Sequence, residues 1–315
     1  MNACGRGAHS ALQRGRLVAA LAAALVFGGL LAQPAAASEV AGAQAREALR
    51  FWTPARMKAA KPLDVRLPGQ GAIALSESAS ASSSFETVAD PTAEATRVNG
   101  AIFIETPFGL GRCSGTSVNA PNYSVVFTAG HCVNTGGPRG RWLAFRWVFV
   151  PGYRYGQRPF GVFPAKWIDT TLKWRTTGSE NFDVGAAVVT RNQRGQLLAN
   201  AVGGTGIAWG LKAKQVFDVH GYPAEEPFDG ETQQLCAGTP FLGHDARSFL
   251  SPGPLNLAVD CDVTGGASGG GWTIAGTKTL NSVTNYGYGD DPDTDFGAYF
   301  GKEVASLFHR AGSVK

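Results

Sequence analysis

Charge is scarce in this sequence: Asp, Glu, Lys and Arg make up 17% of 315 residues. So little charge beside 10% aromatic residues excludes a disordered chain. The excess of one sign is small as well, formally +4. Arg6, Arg14 and Arg16 supply most of it, and the remainder is almost neutral. That removes any charge-based argument for nucleic acid or a membrane surface as partner. Cysteine is sparse, five in all, and no pair shows the close C-x-x-C spacing, which argues against a zinc site. The one long apolar run, within "LVAALAAALVFGGLLAQPAAAS" (Leu17 to Ser38), is about sixteen residues, short of the ~20 that a membrane span needs. No internal repeat is evident.

A basic start, a short apolar run and Ala35-Ala36-Ala37 together describe a secretory signal peptide, residues 1–37. Its removal takes Cys4 with it and leaves Cys113, Cys132, Cys236 and Cys261. An even number in an exported chain predicts two disulfides. Three pairings are open, and chain order favours Cys113–Cys132 with Cys236–Cys261. Residues 38–97 read as a pro-region: a short helix, an extended part broken by Pro54 and Pro62, and a Ser/Ala/Thr-rich linker, Ser76 to Arg97. The competing reading is an N-terminal extension that is kept.

Glycine, by contrast, is abundant at 42 residues, which makes for a loop-rich protein. From Val98 to Lys315 strand-sized apolar runs alternate with Gly/Pro/Asn turns, among them "AIFIET", "SVVFTAG", "RWVFVPG", "DVGAAVV", "VFDVHG", "LNLAVD" and "LNSVTNYGY". The pattern predicts an all-β barrel or sandwich. "GKEVASLFHRAG" (Gly301 to Gly312) carries Val304, Leu307 and Phe308 at helical spacing and predicts a C-terminal amphipathic helix.

Three stretches carry chemistry. "SVVFTAGHC" ends a β-branched run on His131, braced by Cys132. "CDVTGGASGGGW" surrounds Ser268 with glycines, whose backbone can turn N–H groups toward an oxyanion beside a nucleophile. "ENFDVGAAVV" sets Asp183 at the start of an apolar strand, where a buried acid can accept from an imidazole. Asp169 and Asp218 compete for that role but sit less neatly. Ser268 also satisfies G-x-S-x-G, a hydrolase elbow, but those enzymes place the serine before acid and histidine. Only 47 residues follow Ser268, and His309 is their one histidine.

"TAGHC", "FDVGAAVV" and "GGASGG", in the order His, Asp, Ser, resemble the chymotrypsin-like serine peptidases. With "CSGTSV" and "GYP", the layout is most similar to the secreted bacterial branch that includes glutamyl endopeptidases. The resemblance implies two six-stranded antiparallel β-barrels packed face to face, followed by a C-terminal helix, with the site in the cleft between them. It implies His131, Asp183 and Ser268 as the catalytic triad. Backbone N–H groups of Gly266 and Ser268 would form the oxyanion hole, and Cys113–Cys132 would brace the histidine. It implies a secreted, monomeric enzyme acting on polypeptides, with no cofactor. An inactive barrel kept as a binding module is the alternative.

The sequence departs from the pattern in places. Ala267 stands where the trypsin-like members pair an Asp with a new N-terminal amine, so processing would act by removing a covering segment, with cleavage after Arg97 one option. Asp262, six residues before Ser268, is either the floor of a pocket for Arg or Lys or a hydrogen-bond acceptor for its own loop. Val263 and Thr264, with Thr284 and Asn285, mark the remaining substrate-binding candidates, and a valine at 263 speaks against strict glutamate preference. The acidic run Asp290 to Asp295 reads as a solvated loop, with calcium the competing reading. His220 and His244 read as structural.

Overall fold

The structure, a computed structural model, describes residues 38–39, 42–63, 65–67, 73–74, 84–262, 264–289 and 291–315. The expected signal peptide, much of the Ser/Ala-rich stretch, Val263 and Asp290 lie outside the described residues.

Strands β1 (Asn99–Thr106), β2 (Gly109–Val118), β3 (Val125–Thr128), β4 (Val148–Pro151), β5 (Phe163–Thr170) and β6 (Gly185–Val189) pair antiparallel in the order β1-β2-β3-β6-β5-β4. β4 also pairs with β1, which closes a six-stranded barrel. Strands β7 (Val216–Gly221), β8 (Gln234–Asp245), β9 (Leu257–Asp260), β10 (Gly271–Ile274), β11 (Thr279–Tyr288) and β12 (Asp291–Gly297) form a second closed barrel, β7-β8-β9-β12-β11-β10 and back to β7. The strand order is the same in both, so a repeat invisible in sequence exists in topology. The described residues also form helices α1 (Gly42–Phe51), α2 (Pro54–Ala59), α3 (Leu172–Thr177), α4 (Leu198–Val202) and α5 (Lys302–Ser313). None is long and apolar enough to cross a membrane.

Several strands are apolar on both faces because both faces are covered. In β3 and β6, Val126, Ala187 and Val189 fill the first barrel. The alternate residues Val125, Phe127, Ala186 and Val188 meet Leu280 and Val283 of β11 and Val304, Leu307 and Ala311 of α5. That shared layer joins the barrels and docks the C-terminal helix, as its spacing predicted. In β1, Ile102 and Ile104 point inward, while Ala101 and Phe103 point out and are covered by α1 and α2.

Cys113–Cys132 links β2 to the turn after β3, and Cys236–Cys261 links β8 to the segment after β9. The first closes a separation of 19 residues, a constraint of about 3 kcal/mol in the chain-entropy account.

Three readings change. Pro54–Ala59, expected as extended chain broken at Pro54, is the helix α2, with Pro54 in its first turn and Thr53 as its cap. The acidic run expected as a solvated loop is, from Asp291 onward, the strand β12. It pairs on both sides, with β9 and β11, and buried Asp295 accepts from Thr284 Oγ1 at 2.7 Å. Sheet closure there overrides the low strand propensity of Asp and Pro. Residues 84–97, read as linker, are packed: Phe85 and Val88 are buried, and Glu86–Thr87 pairs with Gln234–Leu235 of β8. Two apolar side chains were enough to dock a segment whose composition is otherwise polar. The Arg97–Val98 bond sits at the entry to β1, with Arg97 Nε donating to Val202 O (3.1 Å) and Val98 buried.

Candidate active site

β3 ends at Thr128, and one tight turn, Gly130–Cys132, presents His131. Gly130 is needed for close approach: a Cβ there would lie 2.6 Å from Asp183 Oδ1. Through that gap the Asp183 carboxylate reaches the histidine twice. Oδ1 accepts from the His131 backbone N–H at 2.7 Å, and Oδ2 lies 2.7 Å from Nδ1. Asp183 is fully buried. A carboxylate so placed fixes Nδ1 as the protonated ring nitrogen and leaves Nε2 basic.

Ser268 lies between β9 and β10 on a loop fastened to the first barrel. Its carbonyl accepts from Ser114 N at 2.7 Å and lies 3.8 Å from Sγ of Cys132, the neighbour of His131. Its Oγ is 3.5 Å from the carbonyl of Asn285. Gly269 (φ +81°) permits this contact, since a Cβ would come within 2.5 Å of Ser114 O and 2.7 Å of Ala129 N.

The peptide planes on this loop are held by their carbonyls. Gly265 O accepts from Ala224 N at 2.5 Å, and Ala267 O accepts from Gly270 N at 2.8 Å. In a trans peptide C=O and N–H point opposite ways, so the Gly266 and Ser268 N–H groups are turned away from those bonds. Ser114 adds a third pin: its Oγ donates to Gly266 O (2.8 Å) and accepts from Tyr222 N (2.9 Å).

Glu180 stands in the turn before Asp183 with its carboxyl largely buried. Burial, reinforced by the Asp183 charge and opposed by His131, pushes its pKa up to about 8. Asn285 Nδ2 donates to Glu180 O at 3.4 Å, which ties this turn to β11. Asn181 Nδ2 donates to Ser248 O and Ser251 O, tying it to the second barrel.

The other candidates fall in different places. Thr284 lies beneath the nucleophile loop with its hydroxyl engaged by Trp272 Nε1 (2.9 Å) and Asp295 (2.7 Å), so what it offers the loop is backbone: its carbonyl accepts from Gly269 N. Thr264 Oγ1 donates to Glu225 O at 3.2 Å. Asp262 is half-buried, and its Oδ1 accepts from Phe85 N at 2.5 Å. Of its two candidate roles, this is the one that ties down a neighbouring segment. Burial raises its pKa, and the Phe85 N–H opposes the rise. Asp169 is held by Arg310 (2.8 Å) and Arg175 (3.4 Å), and Asp218 accepts from Gly238 N. His220 is buried against Gln233, and burial takes its pKa down to about 4. His244 Nδ1 lies 3.2 Å from Asn256 O, and His309 packs on Trp209. Among the described residues, the only clusters with metal-ligand geometry are built on the disulfide cysteines.

Sequence reasoning passed over Ser114, Ala224 and Glu180. Ser114 had a signal, its place beside Cys113 in "CSGTSV"; Ala224 had none.

No protein-family model matches this chain, and no curated protein sequence does. Solved structures do. The chain is similar to protease Anisep from Arthrobacter nicotinovorans, at 32% identity and TM-score 0.64, over 71% of this chain and 99% of that one. It is similar to a thermostable serine protease, AL20, from an extremophilic microorganism, at 30% identity and TM-score 0.63, over 71% of this chain and 100% of that one. A Glu endopeptidase bound to MPD shares the fold, at 17% identity and TM-score 0.58, over 75% of this chain and 99% of that one.

Proposed function

This chain belongs to the chymotrypsin-like serine peptidases, and from that premise we propose that it is a secreted endopeptidase whose triad is His131, Asp183 and Ser268. The observation that carries the reading is the double contact of Asp183 with His131, at 2.7 Å to both the backbone N–H and Nδ1, beside the fastened Ser268 loop. Ser268 Oγ attacks the peptide carbonyl, and His131 Nε2 takes its proton. Asp183 holds the imidazole tautomer and stabilises the imidazolium. The Gly266 and Ser268 N–H groups receive the oxyanion. His131 then gives the proton to the leaving amine, and water releases the acyl group by the reverse path.

The two disulfides and the expected signal peptide support export. Residues 38–97 act as a pro-region in this reading. Supporting it, Val65–Leu67 pairs in parallel with Tyr286–Tyr288, the stretch of β11 that follows Asn285, whose carbonyl lies 3.5 Å from Ser268 Oγ. A substrate chain could not add to that edge while the strand occupies it. The contact of Asp262 with Phe85 supports a tethering role for this carboxylate and gives no support to an Arg/Lys pocket.

The test is labelling of the processed protein with a fluorophosphonate probe, followed by peptide hydrolysis. Labelling at Ser268, lost in Ser268→Ala together with turnover, is the expected result. A Ser268→Ala protein that kept more than a few per cent of wild-type turnover would remove the assignment, and a folded, processed chain that neither labels nor cleaves would be the inactive module.

A further inference from the structure

The outer face of the first barrel is not finished by the barrel itself. Phe103 on β1, Val148 and Val150 on β4, and Val162 and Tyr153 beside them form an apolar surface. The strand period makes this unavoidable: with Ile102 and Ile104 inside, Ala101 and Phe103 must point out. Monomeric proteins rarely expose apolar patches larger than a few hundred Å². Here the face is covered from within the chain by residues 42–63.

That cover has the character of core. Ala48, Trp52, Met57 and Ala60 are 1%, 1%, 0% and 4% exposed. The Trp52 ring lies 5.5 Å from that of Phe103, and its Nε1 donates to Arg146 O at 2.6 Å. Arg146 in turn is ion-paired to Glu47 of α1 and to Glu105 of β1, with its guanidinium over Phe51. Arg158 Nη1 donates to Trp52 O at 3.2 Å. Arg112, itself buried, donates to Met57 O at 3.0 Å, to Asp229 O and to Glu231. The loss of Met57 O would strip this desolvated guanidinium of an acceptor. Beyond α2, Lys61–Pro62 pairs with Gly111–Arg112, and Leu63 N donates to Arg112 O at 3.1 Å.

We propose that residues 42–63 are a permanent strap on the first barrel, retained by noncovalent contacts when the chain is cut downstream, so that processing yields a two-chain protein instead of releasing the whole pro-region. The occupant of the outer face is this segment, before and after cutting. The contacts that clear the active site are separate ones, at Val65–Leu67, and retention of the strap does not depend on catalysis.

The test uses the whole chain carrying Ser268→Ala, with a recognition sequence for an exogenous sequence-specific protease placed within Ser76–Ser84. After cutting, both pieces are run on a sizing column at about 1 µM, with and without denaturant. Co-elution without denaturant and separation with it is the expected result. Trp52→Ala should then raise the dissociation constant by at least about a hundred-fold, in line with large-to-small core changes. If that variant does not fold, Trp52→Phe removes the bond to Arg146 O together with part of the ring contact on Phe103 and should cost at least about ten-fold. Separation without denaturant of the cut pieces that carry Trp52 would overturn the proposal, as would a folded Trp52 variant that holds its strap as tightly as the chain with Trp52. Because the serine is absent throughout, failure of the strap and failure of the peptidase reading are told apart.

Discussion

Ser114→Ala is a test of how this loop is held for chemistry. The change deletes one hydroxyl that donates to Gly266 O at 2.8 Å and accepts from Tyr222 N at 2.9 Å. Both partners lie in a buried setting, with Ser114 1% exposed. Losing the first bond costs about 0.5–1.5 kcal/mol, and leaving the Tyr222 N–H without an acceptor costs about 1–3 kcal/mol. Together they predict a loss of about 2–4 kcal/mol, or a melting temperature lower by on the order of 10 °C. The catalytic effect is separate. Gly266 carries one of the two proposed oxyanion donors, and deleting such a donor outright typically costs about 10²–10³ in rate. Ser114→Ala leaves the donor in place but frees the adjoining Gly266–Ala267 peptide plane, whose carbonyl it pinned between the two donors, so kcat should fall by about 10- to 100-fold with KM nearly unchanged. The assay is steady-state hydrolysis of a chromogenic ester and a peptide, with thermal melts alongside. Ser282→Ala is the control, because Ser282 Oγ donates to a buried carbonyl, Ala298 O, at 2.8 Å, away from the nucleophile loop. If Ser114→Ala and Ser282→Ala lose similar stability and both keep wild-type kcat, the pinning argument is refuted.

Gly269→Ala should abolish fluorophosphonate labelling and lower the yield of folded protein, because its Cβ would meet backbone atoms at 2.5–2.7 Å in a left-handed conformation; a fully labelled, stable variant would contradict this. Glu180 has a folded-state pKa raised from 4.5 to about 8, so the native state binds the proton more tightly and stability falls as pH rises through that window, levelling off above it. Glu180→Gln has no such proton to lose, so melts from pH 5 to pH 9 should show it gaining on wild type; parallel profiles would count against the buried placement of this carboxyl. Peptide mapping of the non-reduced protein should recover Cys113 joined to Cys132 and Cys236 joined to Cys261, and Cys113→Ser with Cys132→Ser should cost roughly 2–5 kcal/mol, read by denaturant titration.

Local residues were enough to mark the strands whose two faces are both apolar, the C-terminal helix and the three motifs. Each of those signals lies within about ten residues of chain and reflects a local requirement: a period, a cap, or a glycine where backbone must come close. The fold family followed from the order of the motifs. The strands that sequence reading passed over are those without such a signal. β12 is rich in Asp, and β8 runs through Gly238 and Pro240. Closure of a barrel supplies partners on both sides of such a strand, and no local propensity contains that.

The sequence by itself therefore determined where His131, Asp183 and Ser268 sit on strand ends and turns, and pointed to Cys113, Cys132, Cys236 and Cys261 as the cysteines that pair. Tertiary structure alone decided what surrounds them. It set Glu180 beside Asp183, where desolvation raises its pKa, and it spent the Thr284 hydroxyl on Trp272 and Asp295. It gave the Asp262 carboxylate to Phe85, 177 residues earlier in the chain. It also covered Phe103 with Trp52. An outward apolar residue on a strand looks the same in sequence whatever covers it, because burial is a property of the pair of surfaces and the chain carries only one of them at a time.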